Sequence, residues 1–145
     1  MNELKFEIIL NASLEEVWNA WTDDSLIVKW FSPGANIEPR LGGTYELYFD
    51  PNDHNHMSTI GCTITEYEPM NHLSFTWKGP DQYADIMNNP DNLTHVKVTF
   101  SWEGERTTIA LIHEYWCESD KWVEAKEWHR NAWEGVFMGL KKFFS

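Results

Sequence analysis

The feature that most constrains the fold is a change of hydrophobic period along the chain. Up to about residue 115, apolar residues recur at every second position in one short run after another. Beyond Ser119 they recur with the period of a helix. Alternation with period two belongs to strands buried on one face, and a 3.6-residue period to a helix with an apolar stripe. Lys5 to about Leu10 reads as the first strand, with Phe6, Ile8 and Leu10 on one side. Asn36 to Arg40 leads into a turn at Gly42-Gly43, after which Tyr45, Leu47 and Phe49 alternate with Thr44, Glu46 and Tyr48. Ile60, Cys62 and Ile64 share a side in the next run, as do Leu73, Phe75 and Trp77 in the one after it. Val96, Val98, Phe100 and Trp102, then Ile109, Leu111, His113 and Tyr115, complete the series. Strands of this kind form an antiparallel sheet with one covered and one solvated face.

Helices supply the cover. Ser13-Leu14-Glu15-Glu16 is a capping box that opens a short helix through Leu14, Val17, Trp18 and Trp21. Asp23 caps a second, through Leu26, Ile27 and Trp30, which Pro33-Gly34 ends. Ser119 to about Phe144 reads as one long helix, and Trp122, His129, Trp133, Val136, Leu140 and Phe144 fall on one side of it. The expected fold is therefore α+β: a curved antiparallel sheet wrapped around a long C-terminal helix, with two short helices after the first strand. At 145 residues, with no repeat and no linker rich in Pro, Gly or Ser, residues 1–145 read as a single domain.

Charge and composition exclude several function classes. Eleven basic residues stand against 23 acidic ones, a net charge of −12, and such a surface repels phosphate backbones and anionic lipid. Neither nucleic acid nor membrane is an expected partner. No secretory leader and no membrane-length apolar stretch is visible, and Cys62 and Cys117 are too few for a disulfide framework, so a reducing cytoplasm is the expected compartment. Phosphate-binding glycine loops, nucleophile elbows and zinc-protease helices are absent from the sequence, and no cofactor is expected. Aromatic residues, nine of them tryptophans, make up 15% of the chain, enough either to fill a core or to line a cavity for a flat apolar ligand.

The ordered blocks Trp18-Asn19-Ala20-Trp21-Thr22-Asp23, Trp30-Phe31-Ser32-Pro33 and Arg40-Leu41-Gly42-Gly43-Thr44-Tyr45 carry a family resemblance. Glu66-Tyr67-Glu68-Pro69, Leu73-Ser74-Phe75-Thr76-Trp77, Leu111-Ile112-His113 and Ala132-Trp133-Glu134 with Leu140 continue it. Together they resemble the bacterial homologues of the activator of the heat-shock-protein-90 ATPase, within the START-like, Bet v-like (SRPBCC) helix-grip superfamily. The resemblance implies a helix-grip fold with a cavity between sheet and helix, and a chaperone as a further partner. It carries no catalytic signature.

Candidate residues follow from parity. Tyr45, Phe49, Trp77, Trp102 and His113 are assigned to the covered face of the sheet, with Trp122, His129 and Trp133 facing them from the helix. These eight are the expected lining of a site for a small apolar, aromatic or lipid-like ligand, with the two imidazoles at its polar end. The same histidines, as acid and base, would support a cyclase or hydrolase instead. The alternative for each is a core histidine bonded to a neighbour. Three other features have modest readings. Asp50-Pro51-Asn52-Asp53-His54-Asn55-His56 is a solvated acidic loop rather than a metal site, and His72 and His95 read as surface. Gly79 to Asn92 is a lid or a surface loop. The helix edge Trp128, Ala132, Gly135 and Gly139 permits close backbone approach at the sheet rim or in a homodimer.

Overall fold

A computed structural model describes residues 2–145. Strand β1 (Leu4–Leu10) is followed by helices α1 (Leu14–Thr22) and α2 (Asp24–Ile27), then by strands β2 (Gly34–Ile37), β3 (Tyr45–Tyr48), β4 (Ile64–Glu68) and β5 (His72–Trp77). A 3-10 turn (Asp81–Tyr83) and a short helix α3 (Ala84–Met87) precede strands β6 (Thr94–Glu103) and β7 (Arg106–Glu114). Helix α4 (Asp120–Phe143) closes the chain.

The local signals act as the chemistry requires. The Ser13 hydroxyl accepts from the Glu16 N–H and the Glu16 carboxylate reaches back to Ser13, so both ends of the capping box are made. The Asp23 carboxylate accepts from Ser25 N–H and starts α2. At Gly42-Gly43 glycine is obligatory twice: Gly42 has φ of 78°, and a Cβ on Gly43 would stand 2.1 Å from the Glu38 carbonyl oxygen.

Five antiparallel strands pair in the order β1-β7-β6-β5-β4, and β2 pairs with β3 beside them. The register sets rows across the covered face. Leu4, His113, Val96 and Phe75 form one row; Phe6, Leu111, Val98 and Leu73 the next; Ile8, Ile109 and Phe100 a third. Helix α4 lies over them and buries Trp122, Ala125, His129, Trp133, Phe137 and Leu140, spaced by three or four residues. Val136 and Phe144 are only half-buried, on the flank of the stripe. Trp133 meets Trp77 and His113, and Phe137 meets Phe6. This is the helix-grip architecture.

Two local expectations are corrected. The strand expected to carry Ile60, Cys62 and Ile64 begins only at Ile64: Thr59–Cys62 is a turn, with Gly61 at φ of 86° and the Cys62 N–H bonded to the Thr59 carbonyl. The alternation there is sampled by a turn whose ends still bond β3, through Thr59 N–H to Leu47 and Tyr45 N–H to Cys62. Trp102 shares the parity of Phe100 but is 63% exposed. Its row partners Thr107 and Leu10 are buried, because Thr107 hydrogen-bonds the Ala12 carbonyl beneath the start of α1. The covering layer ends before it reaches Trp102.

Candidate functional site

The aromatic region between α4 and the sheet has a sealed part and an open part. In the sealed part, Trp133 Nε1–H donates to His113 Nδ1 at 3.0 Å, and His113 Nε2 lies 2.9 Å from the Thr94 hydroxyl. Trp77 Nε1–H donates to His129 Nε2 at 3.2 Å, and His129 Nδ1 is 2.8 Å from the Ala125 carbonyl. An indole nitrogen can only donate, so the imidazole nitrogen facing each one must be unprotonated. His113 is thereby assigned the Nε2–H tautomer and His129 the Nδ1–H tautomer, both neutral. The rings stand 5.4 Å apart and perpendicular. Trp116 covers both and ties its own N–H to the His113 carbonyl.

Electrostatics agree with the geometry. Burial drives the His113 pKa well below the ordinary 6.5, with His129 and His95 adding repulsion. Burial takes His129 down to about 4, against a partial rise from the Ala125 carbonyl bond. These are core histidines with all four ring nitrogens bonded. They do not form an exposed polar end to a cavity.

The open part is a cleft of about 150 Å³. Its walls are Trp128, His129, Ala132, Trp133 and Val136 from α4, Trp77 to Pro80 at the end of β5, and the rim Phe49, Met57 and Ser58, with Phe31 against them. The cleft is almost wholly apolar. It exists because Ala132 is small and because β3 stops at Tyr48, so the chain turns outward at Phe49. The rim is tied to the wall. Met57 N–H donates to the Asp81 carboxylate, whose own N–H points at the Met57 sulfur. Met57 holds a left-handed φ of 49°, uncommon for a residue with a side chain, which these ties maintain.

Of the eight sequence-assigned residues, Trp77, His129, Trp133 and Phe49 border the cleft, Phe49 from a rim position 38% exposed. Tyr45 does not: it stacks on Phe75 at 4.1 Å and donates its hydroxyl to the Trp21 carbonyl. Trp122 is buried against Trp116. His113 is wholly buried behind Trp133, and Trp102 lies at the far end of the sheet. Phe31, Met57 and Pro80 were not assigned from sequence because they sit in loops, where period carries no information. Ala132 and Trp128 had a signal, the small-residue edge of α4.

The remaining candidates resolve simply. His54 stacks on Tyr48 at 3.9 Å, His56 lies 3.5 Å from Asp81, and no metal-holding group of three His, Cys, Asp or Glu occurs among the described residues. Residues 79–92 fold as a pinned wall: the Asn88 amide bonds both backbone groups of Gly79, Met87 is buried, and Lys121 pairs with Asp85. His72 and His95 are half-buried on the outer face, with His95 bridging Thr65 and Glu114. Gly139 meets the Trp30 carbonyl, not the sheet rim, while Gly135 has open space. Burial pushes the Cys62 thiol up to about 11, where it stays protonated.

The family model described as activator of Hsp90 ATPase homolog 1-like protein matches residues 11–145. Among curated proteins nothing matches the sequence. A crystal structure of a Mesorhizobium loti protein superposes with a TM-score of 0.75 at 18% identity, covering 98% of this chain and 96% of that one. The solution structure of an Aha1 dimer from Colwellia psychrerythraea gives 0.74 at 19%, covering 99% and 96%. A Plasmodium falciparum protein described as an Hsp90 activator gives 0.73 at 20%, covering 97% and 94%. At such identities the likeness establishes the fold.

Proposed function

The chain belongs to the activator of Hsp90 ATPase homolog 1-like family, and from that premise we propose that it binds a small apolar molecule in the cleft between α4 and the end of β5. Residues 1–145 act as one domain in this reading. The observation that carries it is an apolar space left open in a molecule most of whose aromatic side chains are packed together. Apolar walls open to water favour any apolar ligand that covers them, because burying that surface is itself the driving force. The size narrows the ligand. Pockets for drug-sized molecules run from about 300 to 1,000 Å³, whereas about 150 Å³ suits one benzene-sized ring. A single ring therefore matches the space, and anything longer extends past its open rim.

Acid–base chemistry by His113 and His129 has little support, because each imidazole spends both nitrogens on neighbours. A chaperone ATPase as partner is the second reading, favoured by the family's description and by the Plasmodium neighbour. The test is thermal unfolding with toluene at rising concentration, on the native chain and on Ala132→Leu, which fills the cleft from a helix position. Binding to the native state alone raises the midpoint by RT ln(1 + [L]/Kd). A saturable rise in the native chain, absent in the variant, is expected. No rise in either, together with stimulation of a chaperone ATPase by the protein, would replace this reading with the second.

A further inference from the structure

The polar atoms around the cleft decide which rings it accepts. Ser58 donates its hydroxyl to the His54 carbonyl. Trp77 and Trp133 spend their indole N–H groups on the two histidines, and His129 spends its second nitrogen on Ala125. The backbone is equally committed. Gly79 is bonded at both N–H and carbonyl by Asn88, the Pro80 carbonyl accepts from Tyr83 N–H, and Met57 bonds Asp81 through its N–H and Phe49 through its carbonyl. Lys78 follows Trp77 in β-parity and carries its ammonium to Gly61. Trp128 remains: its indole makes no hydrogen bond among the described residues, and the side chain is 37% exposed. The walls thus offer a ligand almost nothing polar, and the unbonded donors among the described residues, the Trp128 indole and the Lys78 ammonium, belong to residues that solvent reaches.

Resting on the binding reading above, we propose that the cleft is selective for a single ring whose inner end carries no hydrogen-bonding group, any polar substituent being directed outward past Trp128 and Phe49. Recognition inside is by shape, against the buried rings of Trp77 and Trp133 and the side chains of Ala132 and Val136. A hydroxyl turned inward loses its water against walls that are almost wholly apolar. A methyl turned inward replaces empty space and gains contact. The occupant is accordingly a simple alkylated or bare aromatic ring, or the ring-bearing end of a larger molecule whose polar part stays outside.

Phenol, p-cresol and hydroquinone (kept reduced) separate these effects, because they differ only at the position opposite a hydroxyl. Dissociation constants are read from the indole N–H and Ala132 methyl resonances on titration, with Ala132→Leu as the filled control. Phenol is expected to bind hydroxyl outward. The inward methyl of p-cresol should tighten binding about fourfold, the value of about 0.8 kcal/mol for one buried carbon. Hydroquinone must bury one hydroxyl and should bind at least about tenfold more weakly than phenol. Ala132→Leu should remove the p-cresol response while keeping the dispersed spectrum of a folded chain. Hydroquinone binding as tightly as phenol overturns the inference and leaves the binding reading in place. A p-cresol response that survives Ala132→Leu places the ligand elsewhere and overturns it too. If none of the three binds the native chain, the binding reading itself falls and takes the inference with it.

Discussion

Trp133 and Trp128 stand five residues apart on α4, yet they belong to opposite kinds of environment. Trp133 is buried, bonded to His113, and packed on Trp77 and Phe31. Trp128 leans over the cleft with its N–H unbonded among the described residues. Both regions are built from the same aromatic residue types between the same two layers. What separates them is satisfaction and volume: in the sealed region the indoles of Trp77, Trp116 and Trp133 all donate to acceptors, and the open one has Ala132 where a larger side chain would close it. Aromatic content alone therefore does not mark a site. The unfilled space and the partners already spent around it do.

The largest expected effect tests that division directly. Trp133→Ala removes a fully buried indole and leaves His113 Nδ1 without its donor, so about 3–5 kcal/mol of stability should be lost. Trp128→Ala removes an indole that is already 37% exposed and should cost about 1–2 kcal/mol. Urea unfolding of both variants is the measurement, and comparable losses would erase the distinction between the two regions.

Acid should open the sealed region first. Both histidines are held neutral in the folded state while the unfolded chain titrates near 6.5. Below that value the unfolded state binds more protons, so stability falls as the pH drops. His129 alone, from 6.5 to about 4, removes about 3 kcal/mol at 1.36 kcal/mol per unit. His113 adds a loss of the same sign over the same descent. Unfolding curves at pH 7, 5.5 and 4.5 should show the decline, and His129→Gln should flatten it. A native chain equally stable at pH 7 and pH 5 would mean that these imidazoles are reached by solvent.

A smaller effect concerns Tyr45, which sequence parity assigned to the ligand site and the structure places in the sealed core. Tyr45→Phe keeps the stack on Phe75 and removes the bond to the Trp21 carbonyl. A loss of about 0.5–1.5 kcal/mol is expected, with toluene affinity unchanged. A change in affinity would extend the site toward β3.

The fold was legible because periods reflect which face is covered. The capping box at Ser13, the turn at Gly42-Gly43 and the apolar stripe of α4 each express a local rule that the packed molecule also obeys. The walls of the candidate cleft were legible only in part. Parity places a side chain on a face, but it says neither how far the covering layer extends nor whether space remains beneath it. Trp77 reaches the cleft by that rule, and His129 and Trp133 by the helical period of α4, while His113 obeys parity yet ends sealed behind an indole. Phe31, Met57 and Pro80 come from loops held by tertiary bonds such as Met57 to Asp81, which no local pattern encodes. The run from Ile60 to Ile64 shows the converse. Alternation of apolar residues survives a tight turn at Gly61, because the turn still presents Cys62 and Ile64 to the core.

The smallest expected effect isolates the limit of parity most sharply. Trp102 continues the inward-facing series Val96, Val98 and Phe100, and on pattern alone its loss should resemble that of any buried tryptophan, several kcal/mol. The structure instead leaves it 63% exposed beyond the start of α1, across the strand from a buried Thr107. Little apolar surface is withdrawn from water there, so little stability depends on it. Trp102→Thr retains a residue suited to a strand and should change unfolding free energy by no more than about 0.5 kcal/mol. Toluene binding should be untouched, because the residue does not border the cleft. Its indole fluorescence should also be the component most readily quenched by iodide in the native chain, and the variant should lose that component. A loss of 2 kcal/mol or more would show that the covering layer reaches past Phe100, and that α1 seals the far end of the sheet as α4 seals the middle.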